Sequence, residues 1–140
     1  MKSIRIILDT TVLYAGLYSA DGASHQVLRA MERGQVQIVV STTLLFEYED
    51  ILTRKQAELG LSDQQIEAIL DNLCQLSDHQ NVYYLWRPWL PDPKDDHILE
   101  VAVASRTSRI VTHNLKDFKG IEQTFGIRAI PPKALLEELS

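Results

Sequence analysis

Ile4-Arg5-Ile6-Ile7-Leu8-Asp9 is a short apolar run closed by an acid. It reads as a buried strand. The same sign recurs along the chain. Val36-Gln37-Ile38-Val39-Val40 is a β-branched run, and Glu47 lies just past it in Ser41-Thr42-Thr43-Leu44-Leu45-Phe46-Glu47. Asp95 and Asp96 open an apolar-patterned segment from Ile98 to Ala104, and Asp117 follows the run Arg109-Ile110-Val111-Thr112. If the runs are parallel strands, their carboxyl ends share one edge of a sheet. Carboxylates far apart in sequence would then meet there. Like charges gathered in this way persist only around a cation or with some of the acids protonated. An oxygen-only acidic pocket suits Mg²⁺ or Mn²⁺. It is also the ligand set of metal-assisted phosphodiester cleavage.

Between the apolar runs the pattern is helical. Helices are expected at 11–18 and 24–33, separated by the turn Asp21-Gly22, with Ser24 as N-cap and Gly34 closing the second. Ser41 or Thr42 caps a helix that runs to about Ala57 and carries Glu47 about a turn and a half inside it. Ser62 caps another, 63–76, with Ile66, Ile69, Leu70, Leu73 and Leu76 on one face. That face reads as core or as the surface of a homodimer. Asn81 to Leu85, rich in Tyr and Val, is expected to be the third strand. Pro88, Pro91 and Pro93 mark a loop. A helix at 96–106, strands at 109–112 and 127–130, and a terminal helix started by Pro131-Pro132 complete the chain.

Strands separated by helices imply βαβ units with right-handed crossovers. The expected fold is a doubly wound, three-layer α/β/α sandwich, with a parallel sheet of about five strands and residues 1–140 as one domain. Ligands of such folds bind beyond the carboxyl ends of the strands, near a topological switch point. Asp9 and the segment Thr112 to Asp117 fall there.

Composition narrows the function classes. The chain has 140 residues, 45% hydrophobic and 24% charged, which is ordinary for a globular domain. No apolar stretch approaches the roughly 18–20 residues of a membrane span. The N-terminus lacks the features of a signal peptide, so a cytoplasmic protein without membrane attachment is expected. The single cysteine, Cys74, cannot form an internal disulfide and is expected to be a small buried residue on a helix. The net charge of −5 argues against broad binding to duplex nucleic acid. Any RNA contact must come from local cations, with Arg54, Lys55, Arg87, Lys94, Arg106, Lys116 and Lys119 as candidates. There is no glycine-rich phosphate loop. His25, His79, His97 and His113 show no paired metal-ligand spacing, although His113 adjoins the proposed site. Trp86-Arg87-Pro88-Trp89, the densest aromatic patch, reads as packing.

Each acid taken alone has a plainer reading. Asp9 could cap the helix that follows. Glu47 could face solvent beside Glu49 and Asp50. Asp95 and Asp96 could be first-turn acids favoured by the helix dipole, and Asp117 a loop acid. Their joint placement favours a site.

Four stretches together resemble the PIN domain family, and most closely its bacterial VapC-like group, the toxins of type II toxin–antitoxin systems. They are Ile6-Ile7-Leu8-Asp9-Thr10-Thr11-Val12-Leu13; Ser41-Thr42-Thr43-Leu44-Leu45-Phe46-Glu47-Tyr48; Asp92-Pro93-Lys94-Asp95-Asp96-His97-Ile98-Leu99-Glu100-Val101-Ala102; and Ile110-Val111-Thr112-His113-Asn114-Leu115-Lys116-Asp117-Phe118. The resemblance runs from residue 4 to about residue 131. It implies a Mg²⁺- or Mn²⁺-dependent endoribonuclease acting on RNA, with a small antitoxin protein as partner. Carried over residue by residue, it assigns Asp9, Glu47 and Asp96 as metal-site acids. Asp96 is preferred to Asp95 because the family's acid precedes a helix whose small-residue face begins six positions later, here at Ala102. The fourth acid falls at Asn114 in some members and at Asp117 in others. Asp117 is preferred because it brings charge. Thr11 departs from the Asn common in the family. Thr10, Thr11, Thr112 and Asn114 are expected to support the ligands.

The mechanism expected is metal-assisted hydrolysis. Asp9, Asp96 and Asp117 hold one or two cations, and Glu47 completes the shell or orients the water. Two rivals stand beside it. A PIN-like module that binds RNA or a protein without cutting is favoured by the departures at Thr11 and Asn114. A receiver-like phosphoacceptor domain would need a Lys at the pocket, and no strand end supplies one.

Overall fold

A computed structural model of the chain describes residues 3–83 and 89–140. Five strands form one parallel sheet: β1 (Ile4–Leu8), β2 (Val36–Val40), β3 (Ser77–His79), β4 (Arg109–Val111) and β5 (Arg128–Ile130). Their order across the sheet is β3-β2-β1-β4-β5. The chain therefore winds outward from β1 in one direction and then returns to wind outward in the other. The switch lies between β1 and β4, where Ile7 pairs with Ile110 and Leu8 with Val111.

Among the described residues eight α-helices connect and flank the strands: α1 (Thr10–Tyr18), α2 (Ala23–Glu32), α3 (Thr42–Arg54), α4 (Gln56–Leu59), α5 (Asp63–Leu76), α6 (Asp96–Ser105), α7 (Ile121–Phe125) and α8 (Pro132–Leu139). Ile6, Ile7 and Leu8 are successive and fully buried, and so are Ile38, Val39 and Val40. Successive strand residues point to opposite faces, so both faces of the central sheet are covered. The parallel sheet of five strands with its flanking helices is the α/β sandwich that the sequence pattern predicts.

Local chemistry sets the helix ends. The Ser41 hydroxyl accepts from the Leu44 N–H at 3.1 Å and starts α3. Ser62 and Gln65 form a reciprocal capping box at the start of α5, with bonds of 2.8 and 3.1 Å. At Gly16 a Cβ would come within 2.7 Å of the Leu28 side chain, so this glycine sets how closely α1 and α2 approach.

Several expectations need correction. The third strand is Ser77–His79, and residues 81–83 lie outside the sheet; Tyr84 and Leu85 fall outside the described residues. The chain leaves α5 and enters the sheet at once, pairing Ile38 with Ser77. This short polar edge strand is chosen by its pairing with β2, against strand propensity. The helix expected to reach Ala57 stops at Arg54, and the separate turn α4 follows. Ser24 lies inside α2, capped by Gly22. Helix α7 and the 3₁₀ turns at Pro93–Asp95 and Leu115–Phe118 have no counterpart in the sequence pattern. Cys74 is exposed rather than buried. On α5, Ile66 and Leu73 are buried, and Ile69 and Leu70 pack against the core, so that face is chiefly interior. No helix among the described residues is long and apolar enough to cross a membrane.

Candidate active site

The carboxyl ends of β1 and β4 meet at the switch point, and Asp9 stands there. Its backbone N–H donates to the Val111 carbonyl at 3.0 Å, continuing the strand pairing one step past Leu8. The Asp9 carboxylate makes no cap hydrogen bond to α1, so the helix-cap explanation fails. Its Oδ2 instead accepts from the Thr112 hydroxyl at 2.6 Å and from the Thr11 hydroxyl at 3.1 Å. Each hydroxyl is fixed in turn, since Thr112 Oγ1 accepts from the Asn114 N–H and Thr11 Oγ1 from the His113 N–H. Below this, the fully buried Tyr48 donates its hydroxyl to the Leu8 carbonyl at 2.6 Å. Burial, and then the nearby Asp9 charge, hold that phenol well above its usual pKa.

The adjacent acids Asp95 and Asp96 have different surroundings. Asp96 is 1% exposed and turned onto the preceding loop. Its carboxylate accepts from the Leu90 N–H at 2.7 Å and from the Trp89 N–H at 3.2 and 3.3 Å. Asp95 is half-buried at the start of α6 and feels the charge of the other acids. Its carboxyl is pushed up from 3.8 to about 6, first by burial and then by the charges of Asp9, Asp92, Asp117 and Glu47. The Asp96 carboxylate, expected to be a metal-site acid, is thus engaged by two main-chain N–H groups. Sequence spacing gave no sign that the Asp96 carboxylate would bond to the main chain of Trp89 and Leu90.

Glu47 projects from α3, and its side chain is 43% exposed. The buried His97, beside Asp96 on α6, places Nε2 at 3.3 Å from Glu47 Oε1. This contact had no sign in the spacing of the histidines. Asp117 sits in the 3₁₀ turn Leu115–Phe118, and its N–H donates to the Asn114 carbonyl at 3.0 Å. The Asn114 side chain is exposed, and among the described residues neither it nor Thr10 makes a side-chain hydrogen bond. His113, next to Thr112, has Nε2 2.7 Å from the hydroxyl of buried Ser24, which ties α2 to the loop after β4.

Of the cations proposed to meet RNA, Lys94, Lys116 and Lys119 are exposed near the acids in sequence. Arg54 is paired with Asp50 and Lys55 with Glu58. Arg106 lies at the opposite end of α6, and Arg87 falls outside the described residues. Of the aromatic patch, only Trp89 is described; it is 45% exposed and packs edge-on to Phe125.

Chemically, these acids offer carboxylate oxygens, backed at Asp9 by the Thr112 and Thr11 hydroxyls. Among the described residues, no three of the acids approach closely enough to grip an ion unaided. Burial and the charges of Asp9, Asp92, Asp117 and Glu47 together raise the Asp95 carboxyl. A divalent cation relieves such repulsion, and hard oxygen donors suit Mg²⁺ or Mn²⁺. The residues present fit that group.

The sequence profile of the PIN domain matches residues 5–116. That span holds Asp9, Glu47, Asp95 and Asp96 and stops one residue short of Asp117. No curated protein matches the chain.

Proposed function

Because the chain belongs to the PIN domain family, whose members are generally nucleases, we propose that it is a Mg²⁺- or Mn²⁺-dependent endoribonuclease that hydrolyses single-stranded RNA. The observation that supports the proposal is the raised Asp95 carboxyl, pushed up to about 6 first by burial and then by the charges of Asp9, Asp92, Asp117 and Glu47. Such a concentration of negative charge is expensive without a cation.

In this reading Asp9, Asp95 and Asp117 hold the metal. Asp96, the acid favoured by sequence, acts as a positioning residue that fixes the loop from Trp89 to Asp95. A bound divalent cation lowers the pKa of an attacking water and offsets the charge that develops on the phosphate. Thr112 and Thr11 fix the direction of the Asp9 carboxylate, as outer partners of metal ligands commonly do. Glu47, held by His97 and open to solvent, orients the water and takes up its proton. Lys94 and Lys116, exposed and close to the acids in sequence, are the cations we assign to the phosphates flanking the cleaved bond. The likeness to the VapC-like group supports a toxin role, with a small antitoxin protein as partner.

The test is cleavage of single-stranded RNA by the purified full chain with Mn²⁺, with and without EDTA. Cutting that EDTA stops, and that Asp9→Asn removes, is the expected result. A protein that binds RNA but never cuts it would establish the second reading, a module with a weakened site. The open spacing of the acids is the observation that favours that second reading.

A further inference from the structure

The carboxyl edge of the sheet carries a second feature beside the acids. Between the start of α3 and the segment after β3 lies a cavity of about 320 Å³, walled by Thr42, Thr43, Gln80, Asn81 and Tyr83. That volume is at the small end of the roughly 300–1,000 Å³ typical of ligand pockets. The sheet fixes its floor, since the Gln80 N–H donates to the Val40 carbonyl at 2.8 Å.

The wall chemistry is selective. Among the described residues no charged side chain lines the cavity. Its hydroxyls and amides both donate and accept. Gln80 Nε2 donates to the Asn81 carbonyl at 3.0 Å, which leaves the Gln80 side-chain oxygen free to accept from a ligand. Tyr83 is 83% exposed at the cavity, and Phe46 is 65% exposed. Phe46 follows Thr42 and Thr43 by one helical turn, on the same side of α3. Phosphate recognition calls for cations and is not served by these walls. A flat neutral heterocycle with donors and acceptors at its edge is served by them, because aromatic faces stack any base.

Position adds the third element. β3 lies two strands from β1. At about 4.8 Å per strand, β3 stands about 10 Å from β1, and the cavity opens at the same carboxyl edge of the sheet as Asp9. We propose that this cavity is a base-recognition subsite. It receives one base of a single-stranded RNA beside the cleaved bond, stacked on Tyr83 and read at its edge by Asn81 and Gln80. The proposal rests on the ribonuclease reading, and it names residues that set sequence preference rather than chemistry.

Two measurements on the full chain test it. The first is cleavage of a randomised single-stranded RNA pool with Mn²⁺, with the new ends sequenced. The wild type should favour certain bases at one position near the cut, and Asn81→Ala should flatten that preference. Tyr83→Ala should raise KM about tenfold, the size expected for one lost base–aromatic stack, with the effect carried in KM rather than kcat. Both residues are exposed, and unchanged melting temperatures would confirm that the variants are folded. The second measurement is metal-free binding of labelled tetranucleotides of A, C, G or U, where Tyr83→Ala should bind about tenfold more weakly. Normal cutting with no preference, or with a preference unchanged in both variants, would overturn the subsite and leave the nuclease intact. If the wild type never cuts, the nuclease reading fails, and tetranucleotide binding decides the subsite. Equal binding by wild type and Tyr83→Ala would then reject it and assign the cavity to another occupant, such as a polypeptide.

Discussion

The division of labour between Asp95 and Asp96 can be tested without any substrate. Asp95→Asn removes a carboxyl held at about 6 by burial and by Asp9, Asp92, Asp117 and Glu47. A raised carboxylate pKa means that the folded state prefers the proton. Its stabilising contribution is fully present below the unfolded value of 3.8 and is lost as pH rises through 6. At about 1.4 kcal/mol per pH unit, the full effect would be roughly 3 kcal/mol. Asp95 is only partly buried, and solvent screening reduces this to roughly 1 kcal/mol. The metal-free Asp95→Asn variant should therefore match the wild type near pH 4. At pH 8 it should be about 1 kcal/mol more stable, a rise of about 4 °C in melting temperature. Asp96→Asn should behave in the opposite way. Its carboxylate accepts the Trp89 and Leu90 N–H groups, and an amide would offer them one oxygen fewer. The variant should lose about 1–3 kcal/mol at pH 5 and at pH 8 alike. The assay is thermal unfolding in EDTA across that range, repeated with Mn²⁺. Added Mn²⁺ should stabilise the wild type more at pH 8 than at pH 5, because protons compete for Asp95, and Asp95→Asn should blunt the response. A pH-dependent gain in Asp96→Asn, with none in Asp95→Asn, would refute the assignment.

Asp9→Asn should weaken Mn²⁺ binding in calorimetry and abolish nearly all RNA cleavage, since it removes the acid at the switch point. Thr112→Val, which deletes the 2.6 Å hydroxyl contact to Asp9, should lower activity about 10–100-fold while RNA affinity stays near wild type. Asp117→Ala should cost more activity than Asn114→Ala, and excess Mn²⁺ should partly rescue it; a dead Asn114→Ala beside an active Asp117→Ala would move the fourth ligand to Asn114. His97→Ala, which frees Glu47, should depress kcat about tenfold with little change in KM, and an unchanged kcat would remove His97 from the mechanism.

The fold was legible because its strands are buried on both faces. Runs such as Ile6-Ile7-Leu8 and Ile38-Val39-Val40 announce that burial directly. The edge strand Ser77–His79 was not legible, because only its pairing with β2 makes it a strand. Nothing in three polar residues says so, and the nearby Tyr- and Val-rich stretch is a stronger lure. The placement of Asp9 at a strand end followed from the alternation of strands and helices, and the two threonines that hold it were readable from proximity to that end. The bonding of Asp96 to the main chain of Trp89 and Leu90 was not readable, since neighbours on a helix start differ by about 100° in direction and sequence gives no orientation. Nor was the His97–Glu47 contact, which joins residues on two helices and needs the tertiary packing of α3 against α6.

The clasp of Asp96 on the main chain has a consequence for variation. The buried carboxylate grips the amide hydrogens of Trp89 and Leu90, which nearly every residue type would supply in the same place. The turn from Trp89 to Asp95 therefore owes much of its shape to one anchor at its far end rather than to its own side chains. Substitutions at exposed positions such as Pro91, Asp92 and Lys94 can retune what the rim of the pocket presents to a substrate. The anchor would hold Asp95 in register throughout.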